Sequence, residues 1–286
     1  MTFNKNVKFR SCTLKTFNFS LPYNMLKIEL YSNLAWLFIY TTYIIGIVSV
    51  YLANFCLPQM LRYGKALPAN DNSSGNKAVK WFFGLKVPHN YFTHFYANGL
   101  VLSLINAFLF PSQLLVWLLV IHTVRRLAEC LLCTNWGSNS QIHVAHYLVG
   151  LWFYTTLNLS IYLGLADSTE LTIRGEMHTV KLIAVLLFAV FSFDQSFNHL
   201  HLSTLVKYSL PTRGLFKWIA CAHYFDELMI YISLFIVNKN TRLATGMSVI
   251  WVISNLGVSA VQTKSYYESK FKDCVRPKYA MIPFVL

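Results

Sequence analysis

Residues 114–133 read LLVWLLVIHTVRRLAECLLC. Most of this stretch is a lipid-soluble helix, yet it carries Arg125, Arg126 and Glu129 near its middle, with His122 just before them. On the membrane-insertion scale each charge at a helix centre costs about 2.5–3.5 kcal/mol, so three cost roughly 8–10 kcal/mol. The eleven Leu, Ile and Val residues of the stretch return only about 5 kcal/mol on that scale. A lone lipid-facing helix of this composition is therefore marginal. The charges must face other helices, water or a bound polar group. His122, Arg125, Arg126 and Glu129 are spaced i, i+3, i+4 and i+7, which places them on one stripe. Two readings of that stripe follow. It is either an Arg–Glu pair that neutralises itself and fixes packing, or an anion or cofactor site that uses Arg as a bidentate phosphate binder. If Glu129 occupies Arg125 at i, i+4, Arg126 is left over, and the surplus favours an anionic partner.

The rest of the chain has the same character. Its 286 residues are 55% apolar and 12% charged, against about 25% charged for a soluble domain. Seven apolar spans are expected, at 32–57, 91–110, 114–133, 142–166, 179–197, 215–237 and 243–263. Most are close to the ~20 residues that cross a bilayer. The fold class is therefore all-α: a polytopic membrane protein of seven transmembrane helices over residues 32–286, preceded by a basic, aromatic leader at 1–31. The six cysteines read as buried thiols rather than a disulfide frame or zinc site. The net charge of +13 marks cytoplasmic loops more naturally than nucleic-acid binding. Arg62, Lys65, Lys77, Lys80 and Lys86 of the first loop, Lys207 and Arg213, and the tail with Lys264, Lys270, Lys272, Arg276 and Lys278 fall on one side if the C-terminus is cytoplasmic. The leader, with Lys5, Lys8, Arg10, Lys15 and Lys27, opposes that assignment.

Two further polar stripes lie in apolar surroundings. In FSFDQSFNHLHLSTLVKYSLPTRG (191–214), Asp194 and Asn198 are i, i+4, as are Gln195 and His199. In AHYFDELMIY (222–231), His223 and Glu227 are i, i+4, with Asp226 beside them. The first can be a helix end meeting water and the second a packing hydrogen bond. Intramembrane ionisable groups are otherwise functional candidates. No metal site is expected. His199 and His201 point to different faces, His143 and His146 share a face without a carboxylate, and there is neither HExxH nor histidine-box spacing. GxGxxG is also missing, so any nucleotide site is not a Rossmann fold.

Taken together, LRYGK (61–65), VPHNYFTHFY (87–96), HTVRRLAECL (122–131), IHVAHYLVGL (142–151), QSFNHLHLSTLVK (195–207), LPTRGLFKW (210–218), AHYFDELMIY (222–231) and YYESKF…YAMIPFVL (266–286) resemble the steroid 5α-reductase family, in its polyprenol (polyprenal) reductase branch. The resemblance runs from about Gln59 to Leu286. It implies a seven-helix enzyme of the endoplasmic reticulum membrane that uses NADPH. It also implies cofactor residues. Gln195 and His199 match the Asn/Gln and Asp/His pair of helix five. Tyr208, Pro211, Gly214 and Phe216 match the loop over the cofactor, and Glu227 matches the Glu of helix six. His122 and Arg126 match helix three, and Tyr267 matches the Tyr near the C-terminus. The departures are Lys207, which follows a Val at the expected basic position, His223 in place of Asn, and Lys264 in place of His. Thr123 stands where steroid reductases place a Tyr. The Gln/Glu pair that holds a steroid ketone has no counterpart. Both facts argue against a 3-oxosteroid substrate.

Chemistry narrows the acceptor. Hydride adds readily to an alkene conjugated to a carbonyl and poorly to an isolated one, so the aldehyde polyprenal suits reduction of the α-isoprene double bond better than polyprenol does. The expected function is thus NADPH-dependent reduction of a polyprenoid to the dolichol series, for dolichol synthesis and protein N-glycosylation. The expected partners are a long-chain isoprenoid and the bilayer, with no nucleic acid and no obligate protein partner. The site must hydrogen-bond a developing enolate and protonate the α-carbon. His122, Tyr96 and Tyr267 are the candidates. Alternatives are a reductase of a 3-oxo-Δ4-steroid or enoyl thioester, an isoprenylcysteine methyltransferase-like enzyme, and a transporter or scaffold whose charges serve packing.

Overall fold

The computed structural model describes residues 20–56, 81–82, 84–137, 139–167, 178–206, 209–238, 242–272, 274 and 276–286. Among them are seven long α-helices: α1 (Ser20–Cys56), α2 (Phe92–Leu109), α3 (Leu114–Leu132), α4 (Val144–Ala166), α5 (His178–Thr204), α6 (Ala222–Val237) and α7 (Arg242–Lys270). A short antiparallel pair, β1 (Lys86–Pro88) with β2 (Gln141–His143), ties the entry of α2 to the entry of α4, with Val87 opposite Ile142. His143 then caps α4, accepting a hydrogen bond from the amide of Ala145 at 3.1 Å.

Five of these helices are long and apolar enough to cross a membrane: Glu29–Cys56, His89–Leu109, Val144–Ala166, Thr179–Thr204 and Leu243–Lys270. The other two fall short for physical reasons. Helix α3 has the length, at 19 residues, but holds Arg125, Arg126 and Glu129. Helix α6 has 16 residues, about 24 Å of helix against ~30 Å of hydrocarbon, and holds Asp226 and Glu227. The sixth span expected at 215–237 is therefore shortened at its start. Gly214, at φ 53°, opens a 3-10 turn over Gly214–Lys217. The next residues pair with the C-terminal segment, Ala220 N donating to Tyr279 O at 2.8 Å and Cys221 N to Ala280 O at 3.0 Å. Conversely, α5 and α7 each run seven residues past the expected ends at 197 and 263. Hydropathy falls where polar or charged residues begin, whereas a helix stops where its backbone hydrogen bonds stop. Helix α1 likewise begins twelve residues early, so 20–31 of the expected leader are helical. Residues 1–19 and the basic positions Arg62, Lys65, Lys77 and Lys80 lie outside the described residues.

The packing suits a lipid solvent. Large apolar side chains point outward, Phe108 at 85% and Leu132 at 83% exposure. Inward, the helices meet through Val116, Leu119, Leu157, Ile161, Ile230 and Leu234. Polar pairs join them too, as expected where lipid removes the hydrophobic drive between helices. Ser103 meets Thr123 across α2–α3 at 3.3 Å, and Asn106 donates to the carbonyl of Asn158 across α2–α4 at 3.0 Å. At the C-terminal end of α4, Asp167 accepts hydrogen bonds from Ser32 (2.9 Å) and Trp36 (2.7 Å), fastening α1. Cys130 and Cys221 are buried, as expected, but Cys133 is half-buried and Cys56, at the end of α1, and Cys274 are exposed.

Candidate active site

The charges of α3 meet the polar faces of α5 and α6 in one network. Glu129 is its hub. Its Oε1 accepts from Arg125 Nη1 and from Ser196 Oγ, each at 2.6 Å. Its Oε2 lies 2.6 Å from Arg126 Nη1 and 2.7 Å from His199 Nδ1. Arg125 also donates to Gln195 Oε1 at 2.5 Å. That contact assigns the ends of the Gln195 amide, whose Nε2 donates to Glu227 Oε2 at 2.6 Å and to the carbonyl of His223 at 2.9 Å. Glu227 is the second hub. Its Oε2 is 3.7 Å from Arg126 Nε, and its Oε1 is 3.4 Å from Nε2 of the fully buried His122. Satisfying each buried charge in this way is the condition for keeping it out of water.

This geometry corrects the expected division of labour on α3. Glu129 is shared between both arginines, so Arg126 is not a surplus cation. Two guanidiniums face two carboxylates, Glu129 and Glu227. Glu129→Met should therefore not rescue Arg125→Met, because it would also strip Arg126, His199 and Ser196 of their partner.

Arg126 has a further partner. Its Nε and Nη2 donate to the hydroxyl of Tyr96 on α2 at 3.1 and 2.7 Å, and the guanidinium stacks 4.7 Å over the Tyr96 ring. Two donors fill the lone pairs of that oxygen, which leaves its own O–H to point at something else.

Two cavities adjoin the network. The inner one, of about 160 Å³, is lined by the polar edge Tyr96, Arg126, Gln195, His199, His223 and Glu227 and by aromatic walls from α2, α4, α6 and α7. The outer one, of about 390 Å³, lies between the start of α2, the turn after α3 and the end of α5, and includes Thr134, Asn135, Trp136 and Ser203. Phe92, Arg126, His199, His223 and Tyr224 belong to both. Phe216 of the 3-10 turn packs its ring against His223 at 5.9 Å.

Among the residues expected from sequence, the fold gathers Tyr96, His122, Arg126, Gln195, His199, His223 and Glu227. His122 stands behind Glu227 rather than on a cavity wall. Tyr267 is buried beside Tyr266 and Phe271, and Lys264 pairs with Glu268 at 3.3 Å. Neither lines the two cavities. Lys207 and Tyr208 lie outside the described residues. Several residues of the network and of the cavity walls were not among those expected. Ser196 is one turn from Ser192 in an already polar run. Asn255 and Ser259, i, i+4 in the last apolar span, were a legible polar stripe. Tyr154, Tyr231 and Trp251 gave no signal, since an aromatic residue in a membrane helix is ordinary core. Among the described residues no cluster of three or more His, Cys, Asp or Glu is placed to hold an ion.

Comparison with known proteins places this chain in a family. The profile of the 3-oxo-5-alpha-steroid 4-dehydrogenase family matches residues 140–286. The polyprenal reductase of Saccharomyces cerevisiae is 38% identical over 245 residues, covering 86% of this chain and 93% of the yeast protein. The polyprenal reductase of Danio rerio is 28% identical over 279 residues, with 79% and 86% covered. Polyprenal reductase 1 of Oryza sativa subsp. indica is 25% identical over 300 residues, with 76% and 84% covered. The match takes in β2, α4 and every element after it, including the Gln195, His199 and Glu227 side of the network, and the yeast relative extends it over most of the chain, so this protein belongs to the steroid 5α-reductase family.

Proposed function

We propose that the chain is an NADPH-dependent polyprenal reductase, saturating the α-isoprene double bond at the aldehyde level on the route to dolichol. The observation that carries this reading is the Tyr96–Arg126 pair on the wall of an aromatic cavity. It offers an O–H donor whose oxygen is gripped by a cation, at the edge of a chamber otherwise built for hydrocarbon. The relatives named polyprenal reductase support the substrate class, and the missing ketone-holding pair disfavours a steroid.

The residues present fit the cofactor. The outer cavity leads to a junction with Arg126, His199 and His223, and Glu227 lines the inner cavity beside it, held from behind by His122 at 3.4 Å. Gln195, His199, His223 and Glu227 would hold the nicotinamide end. When bound, NADPH supplies hydride to the β-carbon of the enal. Tyr96 hydrogen-bonds the carbonyl oxygen and gives its proton to the enolate oxygen, the resulting enol tautomerises to place that hydrogen equivalent on the α-carbon of the saturated aldehyde, and Arg126 stabilises the charge left on the phenolic oxygen. His122 acts through Glu227 as a positioning residue.

In the same reading all seven helices cross the endoplasmic reticulum membrane. The ends at Phe92, Leu132, Val144, Thr204, Ala222 and Lys270 face the cytoplasm, and the isoprenoid enters sideways from the bilayer. Purified protein given NADPH and polyprenal should yield a product two hydrogens heavier by mass spectrometry, while polyprenol stays unchanged. Unaltered polyprenal alongside reduced polyprenol would reverse the assignment. Tyr96→Phe should lower kcat about 100-fold while the Kd for NADPH, read by cofactor fluorescence, stays within about twofold. An unchanged kcat would remove Tyr96 from the chemistry.

A further inference from the structure

Three of the rings that wall the inner cavity are each seated on a glycine of a different helix. Gly150 of α4 lies beneath Phe95, where a Cβ would fall 2.5 Å from the ring. Gly99 of α2 lies beneath Tyr154, where a Cβ would fall 2.7 Å from Cδ1. Gly46 of α1 meets the indole of Trp251 so closely that a Cβ would sit among its ring carbons. Phe95, Tyr154 and Trp251 all face the same cavity. Phe153 locks the arrangement, meeting Tyr154 and Trp251 edge-on at 5.4 Å each. Glycine is a poor residue for a helix interior. Here each one lets a ring withdraw into a neighbouring helix instead of filling the chamber.

The volume that remains is informative. An apolar cavity of about 150 Å³ holds one benzene, six carbon atoms, and this chamber, with the nicotinamide end at its polar edge, offers an acceptor at its aromatic walls no more than about 160 Å³. The reacting end of a prenal, five carbons of the α-isoprene unit and the aldehyde oxygen, is six heavy atoms. A fused four-ring enone overfills it. Close-packed rings backed by helix backbone do not yield to make room.

We infer that the inner chamber is a socket for a single isoprene unit and its carbonyl, gauged by the three glycine-seated rings, so that it selects an acyclic enal and does not read chain length. This rests on the polyprenal reductase reading and specifies the acceptor of that site. Membrane-reconstituted protein with NADPH is assayed on geranial, farnesal and a long polyprenal. It is also assayed on perillaldehyde, which has the carbon count of geranial but carries its double bond in a six-membered ring. At saturation the three acyclic enals should turn over within about threefold of one another, any difference lying in KM. Perillaldehyde should be strongly disfavoured. Gly150→Ala pushes the Phe95 ring into the socket and should cut turnover of all three prenals at least about tenfold. Phe95→Leu in the same chain should restore most of it. Phe95→Ala alone, which adds no bulk, should narrow the geranial-to-perillaldehyde preference about tenfold. No prenal reduction by the wild type overturns both the parent reading and the socket. Prenal reduction with a saturating rate that falls steeply with chain length, or with a ring preference unmoved by Phe95→Ala, overturns the socket alone.

Discussion

Glu227→Gln should lower kcat/KM for NADPH-dependent reduction about 100-fold while the protein remains folded in the membrane. The substitution keeps the shape of the side chain and removes its charge. In the wild type that charge sits 3.7 Å from Arg126 Nε and 3.4 Å from His122 Nε2, and accepts from Gln195 Nε2 at 2.6 Å. All three neighbours are donors or cations, so an amide NH2 placed on either side faces one of them. Hydrogen bonds to a charged group are worth about 1.5–3 kcal/mol, and 1.4 kcal/mol is tenfold. Losing about 3 kcal/mol at the place where the nicotinamide end is held gives the stated factor. The loss should appear in both NADPH affinity and turnover, because Gln195 and Arg126 lose their reference point together. Wild-type values of both in a detergent-stable variant would show that Glu227 serves packing.

Arg126→Met should abolish measurable turnover and also destabilise the protein, by about 3–5 kcal/mol. The sequence alone left Arg126 as the surplus cation of the stripe. The structure changes that expectation, because Arg126 joins Glu129, Glu227, His199 and Tyr96. Removing it strands most of the Glu227 charge and lets the Tyr96 hydroxyl turn. Arg126→Lys separates the two effects. One ammonium retains the charge but lacks the planar fork that reaches Tyr96 and Glu129 together. Thermal stability should therefore recover most of the way while kcat stays at least about tenfold low. Arg125→Met gives the contrast: it leaves the Arg126–Tyr96 contact in place, so its stability loss should exceed its effect on kcat. Equal kcat losses in the Arg125 and Arg126 variants, measured in one detergent, would contradict the separate roles.

Much of this was legible before any coordinates. Apolar runs near bilayer length locate the helices, since composition and length alone satisfy the requirement that every backbone group be bonded in lipid. The misfit of Arg125, Arg126 and Glu129 in LLVWLLVIHTVRRLAECLLC marks α3 as a helix that cannot face lipid, because the insertion cost of each charge is large and local. The i, i+4 stripes Gln195/His199 and His223/Glu227 mark its partners by the same arithmetic. What sequence could not decide is who pairs with whom. Arg125 and Arg126 are both within one turn of Glu129, and periodicity offers each an equal claim. Only the approach of α5 and α6 shows that Glu129 serves both while Glu227 balances Arg126. Tyr267 and Tyr96 were equal candidates on paper. The packing of α2 against α3 carries Tyr96 to Arg126, whereas the last turns of α7 bury Tyr267 among Tyr266 and Phe271. The aromatic chamber was invisible for a related reason. A ring in a membrane helix has the same hydropathy whether it fills the core or withdraws from it, and the difference rests on Gly46, Gly99 and Gly150 lying opposite Trp251, Tyr154 and Phe95 across helix interfaces. Local energetics thus determines which residues must leave the lipid, and the three-dimensional meeting of helices far apart in the chain decides what they meet there.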